Sequence, residues 1–401
     1  MERIADWLHN RPWFRAIFAL LLVLAWQALT VQANYKGHWS GLFRVGNAAP
    51  LPPRLEPTTF RNPHPRGYDG QFYRLLATDP FLLRGTAAYL DSPLLRSRRI
   101  LMPILAWALA AGQAKLIDGT YVCVVACFVA LGVYCLTKIM ILYGRHPALG
   151  LLFLLVPAVP IAVDSMTIDI SLVALTACFA YQVASGKTRG LWWTLAAASL
   201  SRETGVLLPA AAAIGALLER APRKAFLWAT ATLPALLWCA YLYRVLPASA
   251  LQEGFIPKWF IPGPTVGILL RAADPLPYPL FGANLQFVAR TLDFISLGAT
   301  IALCVLGILL LRMMRPLAMQ VATVLFLVLV AAATDQGFWI TPYGYARPIA
   351  PLFVLLLAGA SGLKRQRHLL VAAVLLGLLD LRIFAEMQTQ AIGVLRLVRG
   401  G

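Results

Sequence analysis

Charge is scarce in this chain. Only 13% of its 401 residues are charged and 17 are acidic, whereas soluble globular proteins carry roughly 25% charged residues. Histidine occurs five times, never in an HExxH pattern, and neither a Walker A loop nor a GxSxG elbow is present. Those absences exclude zincin, P-loop ATPase and nucleophile-elbow hydrolase chemistry. The six cysteines (Cys123, Cys127, Cys135, Cys178, Cys239 and Cys304) all lie inside apolar runs, outside CxxC or Cys/His metal spacing. They read as small buried hydrophobes, with no sign of a disulfide framework or a structural zinc. Channel-like filter sequences and the paired Gly/Pro-broken helices of inverted-repeat transporters are also missing.

Apolar sequence fills the space instead. Hydrophobic residues make up 60% of the chain, and the mean hydropathy is +0.72. Runs at 13–31, 121–142, 226–246, 292–311 and 317–333 are long enough to cross a hydrocarbon core of about 30 Å. The first is too long for a secretory signal peptide and has no small-residue cleavage site, so a retained first helix is expected. A net charge of +18 raises nucleic acid as a partner. The basic residues, however, stand in short clusters between apolar runs, which is how membrane orientation is encoded, and nucleic-acid binding is not expected.

These clusters are Arg3, Arg11 and Arg15; Arg145 with His146; Lys187 and Arg189; Arg220, Arg223 and Lys224; Arg312 and Arg315; and Lys364, Arg365 and Arg367. Placing them all inside puts 34–119, 247–290 and 334–347 outside. Parity then requires that 100–111 not cross. It is twelve residues long, contains Pro103 and follows Arg98 and Arg99, so it is predicted to lie at or dip into the outer interface. The stretch 190–218 has basic clusters at both ends and is predicted to be a hairpin of two short helices. Its turn carries Ser201-Arg202-Glu203-Thr204, a charged pair at depth that must face protein or water. The Pro-rich 49–65 reads as an extended loop. The expected fold is therefore all-α: one polytopic transmembrane domain over 1–401, about eleven helices, N-terminus cytoplasmic, C-terminus outside. Interfacial helices are expected in the long first external loop, 34–119, and 247–290 forms the second large one.

Several polar residues could carry chemistry on that outer face. Asp69-Gly70 can cap a helix over 71–78, whose Phe72, Leu75 and Leu76 form an apolar stripe suited to lying flat on a membrane. Asp69 is then either a base for a hydroxyl nucleophile or simply an N-cap. Asp91, Arg96, Arg98 and Arg99 suit phosphate recognition, or equally the snorkelling of arginines to lipid headgroups. Asp164 and Asp169 could hold a divalent cation such as magnesium or manganese with a phosphate; capping of a helix near Thr167 explains one of them as well. Arg202 and Glu203 are a functional pair or a structural bridge. Arg347, in Thr341-Pro342-Tyr343-Gly344-Tyr345-Ala346-Arg347-Pro348, could neutralise a lipid phosphate; otherwise it and the tyrosines form an interface belt. Lys258, Arg271 and Asp274 in the second loop follow no recognisable spacing.

Four segments taken in order carry a resemblance: Tyr68-Asp69-Gly70-Gln71-Phe72-Tyr73, Arg98-Arg99-Ile100-Leu101-Met102-Pro103, Ser201-Arg202-Glu203-Thr204 and Tyr345-Ala346-Arg347-Pro348. With the long first external loop, they resemble bacterial members of the GT-C superfamily, multi-span glycosyltransferases that use polyprenyl-phosphate-linked sugars. The resemblance implies a plasma (inner) membrane location and a cavity open to the outer leaflet and the periplasm. It implies a polyprenyl-phosphate sugar donor and a hydroxyl acceptor on a glycan, lipid or protein. Asp69 maps onto the loop acid that acts as base, with Tyr68, Gln71, Tyr73, Arg98, Arg99, Arg202, Glu203, Tyr345 and Arg347 around the substrates. The chain lacks a clear Asp-x-Asp pair, since Asp164 and Asp169, where two apolar runs meet at the outer face, are five apart, which counts against a metal-dependent mechanism. A transporter or flippase of lipid-linked saccharides and a non-catalytic envelope-assembly scaffold are the alternatives. Neither needs a single carboxylate base at position 69.

Overall fold

The computed structural model describes residues 11–251, 285–333 and 336–399. Lys258, Arg271 and Asp274 thus lie outside the described residues. Among the described residues the protein is helical, and one isolated bridge between Gly46 and Asn62 is the β-type pairing. The helices used below are α1 (Pro12–Asn34), α2 (Gly70–Thr78), α3 (Pro93–Arg98), α4 (Leu101–Leu109), α5 (Ile117–Leu142), α6 (Ala158–Ser165), α7 (Asp169–Ala184), α8 (Leu191–Ser201), α9 (Leu207–Leu218), α10 (Pro222–Ala229), α11 (Leu233–Val245), α12 (Gln286–Leu310), α13 (Leu317–Ala332), α14 (Pro342–Ser361), α15 (Arg367–Glu386) and α16 (Gln388–Val398).

Six helical stretches are long and apolar enough to cross a membrane, and a seventh is counted if Pro147–Leu155 and α6, bent by 60°, form one crossing. The expected helical membrane bundle is therefore the architecture observed. Length supports six or seven crossings; about eleven requires the shorter apolar α7, Glu203–Leu218, α13 and α8 to cross as well. Outward faces of α1, α12 and α15 carry bare side chains such as Phe18, Leu21, Phe287, Leu309 and Leu370, an apolar surface that water would not tolerate over such an area. At the other extreme, the spanning window of α14 is 89% buried. Apolar all round beyond Arg347 near its start, it forms the central post of the bundle.

The connection between α1 and α5 wraps one end of this bundle. α2 does not lie flat with one bare face, as its stripe predicted. Its Gln71, Tyr73, Arg74, Leu75, Leu76, Ala77 and Thr78 are all buried, wedged against α4 and α5. Two residues explain the difference. Gly70 presses its backbone onto Ser165, where any Cβ would collide with the carbonyl oxygen. Arg74, on what would have been the wet face, grips Asp118 at the start of α5 with both oxygens, at 2.6 and 3.0 Å, and donates to Thr59 at 2.8 Å. Such a planar two-point pair can draw a polar face into protein. α4, nine residues long, is too short to cross, as expected for 100–111.

The predicted break in 190–218 is present. α8 stops at Arg202, which is extended (φ −160°, ψ 155°), and a single 3-10 turn, Glu203–Val206, leads into α9. The chain doubles back there, since a Cβ on Gly205 would strike the Ala198 carbonyl. The first residues of α5, α7 and α14 thus share the end of the bundle covered by the first loop. The opposite end is tied by Arg145, whose Nε donates to the Ser361 carbonyl at 3.0 Å, with a further bond to the Leu363 carbonyl.

Arg74→Met should leave Asp118 unpaired in a site where its side chain is only 20% exposed. The expected cost is about 2 kcal/mol, discounted for that partial exposure. It would be read as a lower thermal midpoint in detergent, with Arg74→Met/Asp118→Leu recovering most of the loss. A single variant as stable as wild type would show that α2 is held by packing alone.

Candidate active site

Asp69 occupies the N-cap position of α2, yet its side chain makes no capping bond. The cap is satisfied by its backbone carbonyl, which accepts from the Phe72 amide at 3.1 Å. The carboxylate turns to arginines instead. Oδ1 accepts from Arg96 Nη2 at 2.9 Å, and Oδ2 pairs with Arg347 Nη1 at 2.9 Å. The simple N-cap reading of the Asp69 side chain is thereby corrected.

From these two contacts a chain of charges runs in both directions. Arg96, in the last turn of α3, clasps Asp91 at 2.8 Å through each oxygen. Arg347, near the start of α14, also reaches Asp169 at 3.4 Å, and Asp169 opens α7. The other oxygen of Asp169 is paired with Arg202 from the helix break. Arg202 lies 3.4 Å from Glu203, which Arg99 holds at 2.7 and 2.8 Å. Arg99 then donates to the Tyr73 hydroxyl at 2.9 Å, and Arg96 reaches the same oxygen at 3.5 Å. The circuit closes: Arg96, Asp69, Arg347, Asp169, Arg202, Glu203 and Arg99 alternate in sign, the Tyr73 hydroxyl bridges Arg99 back to Arg96, and Asp91 is bound to Arg96 beside the ring.

Five separate pieces of chain supply this ring, namely α2 with its N-cap, the α3–α4 junction with Asp91 just before it, the start of α7, the α8–α9 turn and the start of α14. Burial would normally oppose ionisation of Asp69, but Arg96 and Arg347 outweigh it and hold its carboxyl well below the usual carboxylate range. The sign is the stabilising one for a depressed acid. Its contribution is complete above the ordinary aspartate value and is lost as pH falls through the lowered folded value. Burial also pushes the Tyr68 hydroxyl up, against the pull of Arg347.

The sequence-predicted residues divide into those the ring uses and those it does not. Asp69, Tyr73, Arg99, Arg202, Glu203, Arg347 and Asp169 are members. Tyr68 supports it: its hydroxyl donates to the Tyr343 carbonyl at 3.0 Å, and its ring lies 5.2 Å from the Arg347 guanidinium. Arg98 is close enough to Glu203 and Arg99 to feel both charges. Gln71 braces the loop, accepting from the Gly46 amide at 3.2 Å and donating to the Arg66 carbonyl at 2.8 Å. Tyr345 packs in the core against Trp339, ring centroids 5.2 Å apart.

Asp164 belongs to a second cluster. Arg44 pairs with it at 2.5 Å, the Tyr343 hydroxyl donates to it at 3.0 Å, and Ser165 lies at 3.1 Å. A divalent cation, which Asp164 and Asp169 could have held, does not fit this arrangement. Asp164 is already paired with Arg44 and Asp169 with Arg202 and Arg347, and among the described residues no three His, Cys, Asp or Glu side chains converge. Sequence reasoning missed Arg44 altogether, and it grouped Arg96 and Asp91 with the phosphate-binding arginines without linking them to Asp69. The signal available for Arg96 was its place five residues after Asp91, one helical turn beyond α3's cap. Arg44 sits in a left-handed conformation (φ 50°) within irregular backbone, where no periodicity points to a partner.

An open cavity of about 520 Å³ adjoins the ring, with Asp69, Asp91 and Arg96 in its wall. The site therefore offers a carboxylate at a cavity edge and, behind it, guanidiniums shared among several acids. Such an assembly can handle a proton and bind an anionic oxygen at neighbouring points. Tyr73→Phe removes the oxygen that closes the ring and leaves two arginine donors short of an acceptor. A loss of about 2 kcal/mol is expected for a hydrogen bond to charged groups, read as a lower thermal midpoint. An unchanged midpoint would make the hydroxyl a bystander. Compared with protein-family models, with curated proteins and with solved structures, the chain matches none.

Proposed function

We propose that this protein is a GT-C-type glycosyltransferase of the bacterial plasma membrane, moving a sugar from a polyprenyl-phosphate donor to a hydroxyl acceptor on the periplasmic or extracellular side. In this reading the N-terminus is cytoplasmic, about eleven helices cross, and the first loop and the ring face outward. The observation that carries it is the position of Asp69: one carboxylate, at a cavity edge, held between Arg96 and Arg347. A flippase could use the arginines with Asp69 as their counter-ion, but it has no need of a carboxylate base there.

The chemistry is an in-line displacement. Asp69 takes the proton of the acceptor hydroxyl as its oxygen attacks the anomeric carbon. The bond from that carbon to the phosphate oxygen breaks, and polyprenyl phosphate leaves with an added negative charge. Arg347 and Arg202 stabilise that charge, with Arg98 and Arg99 behind them; preorganised donors of this kind are worth about 3 kcal/mol each. A single displacement inverts the anomeric configuration. No step passes through a metal.

Held by two guanidiniums, Asp69 is a poor base, because proton transfer is efficient when the catalytic pKa lies near the working pH. The donor resolves this conflict. Its phosphate is a better partner for Arg347 than a shared carboxylate, and Asp169 stands ready as that arginine's other anchor. Once Arg347 has turned to phosphate, Asp69 loses half of what holds its proton affinity down. Base strength therefore appears only when donor is bound. In kinetics, the acid limb of kcat, which reports the loaded enzyme, should lie at higher pH than that of kcat/KM, which reports the free enzyme.

The direct test compares surface glycans and lipid-linked sugars by mass spectrometry in a deletion strain carrying wild-type protein or Asp69→Asn at matched membrane levels. Loss of a general base costs roughly 100- to 10,000-fold, so Asp69→Asn should leave the glycan lacking its sugar and the donor lipid accumulated. Full restoration by Asp69→Asn would favour the flippase or the scaffold. A product of retained configuration would contradict the single displacement.

A further inference from the structure

The cavity beside the ring has a wall of mixed chemistry. Its wall carries Asp69, Asp91, Arg66 and Arg96, interleaved with Tyr68, Phe72 and Tyr89. At about 520 Å³ it falls within the ~300–1,000 Å³ of ordinary small-molecule sites. Two carboxylates against two guanidiniums leave the wall without net charge, so neither an anionic nor a cationic group is favoured there. A lipid tail is not favoured either, because charged side chains flank the apolar rings. An uncharged ligand with several hydroxyls and an apolar face suits both kinds of wall.

Two residues are left unspent for such a ligand. Asp91 accepts one arginine N–H on each oxygen, but a carboxylate has about four lone-pair positions. Its side chain is 46% exposed, so two acceptor positions remain for adjacent hydroxyls. Among the aromatics, the face of Phe72 is covered by Arg96, 4.6 Å from the ring centre, and that of Tyr68 by Arg347. Tyr89 is half-buried and makes no ring or cation contact among the described residues. Packed partly against the core, it lines the same cavity wall as Asp91 and Asp69.

We propose that this cavity binds an uncharged saccharide, with the C–H face of a pyranose ring on Tyr89 and neighbouring hydroxyls on Asp91. Bound in this way, a sugar lies along the wall that ends at Asp69. Its role as acceptor in the transfer rests on the proposed function; its binding does not. Asp91 and Tyr89 are positioning residues, because they hold the ring and leave the proton to Asp69.

Binding is measured on the full-length protein in nanodiscs by saturation-transfer NMR, with the methyl α- and β-glycosides of glucose, galactose and mannose as probes and sn-glycerol 1-phosphate as an anionic comparison. At least one glycoside should bind, and Tyr89→Ala and Asp91→Asn should each weaken it tenfold or more while Tyr89→Phe retains it. Asp69→Asn should still bind, which separates this proposal from the catalytic one. If Asp69→Asn also restored the cellular glycan profile, the transferase reading would fall and the saccharide site would stand. Thermal midpoints of all variants identify any that misfold, and the Tyr89 pair decides the matter should Asp91→Asn disturb Arg96. Absence of binding by every glycoside, binding indifferent to Tyr89→Ala, or preference for glycerol phosphate would overturn the proposal.

Discussion

An arginine or carboxylate taken out of water must find its opposite. Removing one partner of such a buried pair costs about 3–5 kcal/mol, because it strands the other charge. Four guanidiniums and four carboxylates meet at one end of this bundle; seven of them alternate in sign around a circuit closed by Tyr73, and Asp91 is bound to Arg96 beside it. Every member but Asp91 is shared between neighbours or tied to Tyr73, so no piece of chain can shift alone. The ring thus fixes the relative positions of α2, the α3–α4 junction, α7, the α8–α9 turn and α14, which share little sequence proximity. Gly70 and Gly205 serve the same end by letting backbone approach backbone where a side chain would hold the pieces apart.

The same interaction bears on the proposed chemistry. A carboxylate gripped by two arginines is a strong structural link and a weak base. In the proposed transferase, stability and catalysis would make opposite demands on Asp69, and only an arrangement with a second place for Arg347 to go would meet both. Asp169 provides that place. It is the residue on which the sequence suggested a metal, and its position between Arg202 and Arg347 gives it a different task. An arginine already balanced between two acids can transfer to a phosphate with little rearrangement, which is what preorganised stabilisation of a leaving group requires.

Much of this was legible in the sequence where local rules govern. Apolar runs of sufficient length announced a helical membrane bundle, and two of the basic clusters between them lie side by side, Arg145 bonding the Ser361 and Leu363 carbonyls next to Lys364. The break at Arg202 followed from charge parity, and the short helix near Pro103 from its length. Asp69, Arg99, Arg202, Glu203 and Arg347 stood out because charge is rare in this chain. Partner choice was not legible, because it depends on which helix ends meet in space. Nothing at position 44 pointed to Asp164, and nothing in α2's apolar stripe showed that Arg74 would pull its polar face against Asp118. The expected flat helix failed for that reason: amphipathic periodicity reports two faces but not whether the polar one meets water or another helix.

The most direct measurement is the titration of the Asp69 carboxyl, followed by carbon-13 NMR of aspartate-labelled protein in nanodiscs and assigned by loss of the signal in Asp69→Asn. In the free protein the signal should stay that of an ionised carboxylate from about pH 8 down to about pH 4, since its partners hold it below the ordinary aspartate range. With polyprenyl phosphate added, and its binding verified by the phosphorus-31 shift, the same signal should move to a midpoint within that interval. If phosphate binds and the Asp69 signal does not respond, Arg347 is not shared between the two and the donor-dependent base is wrong.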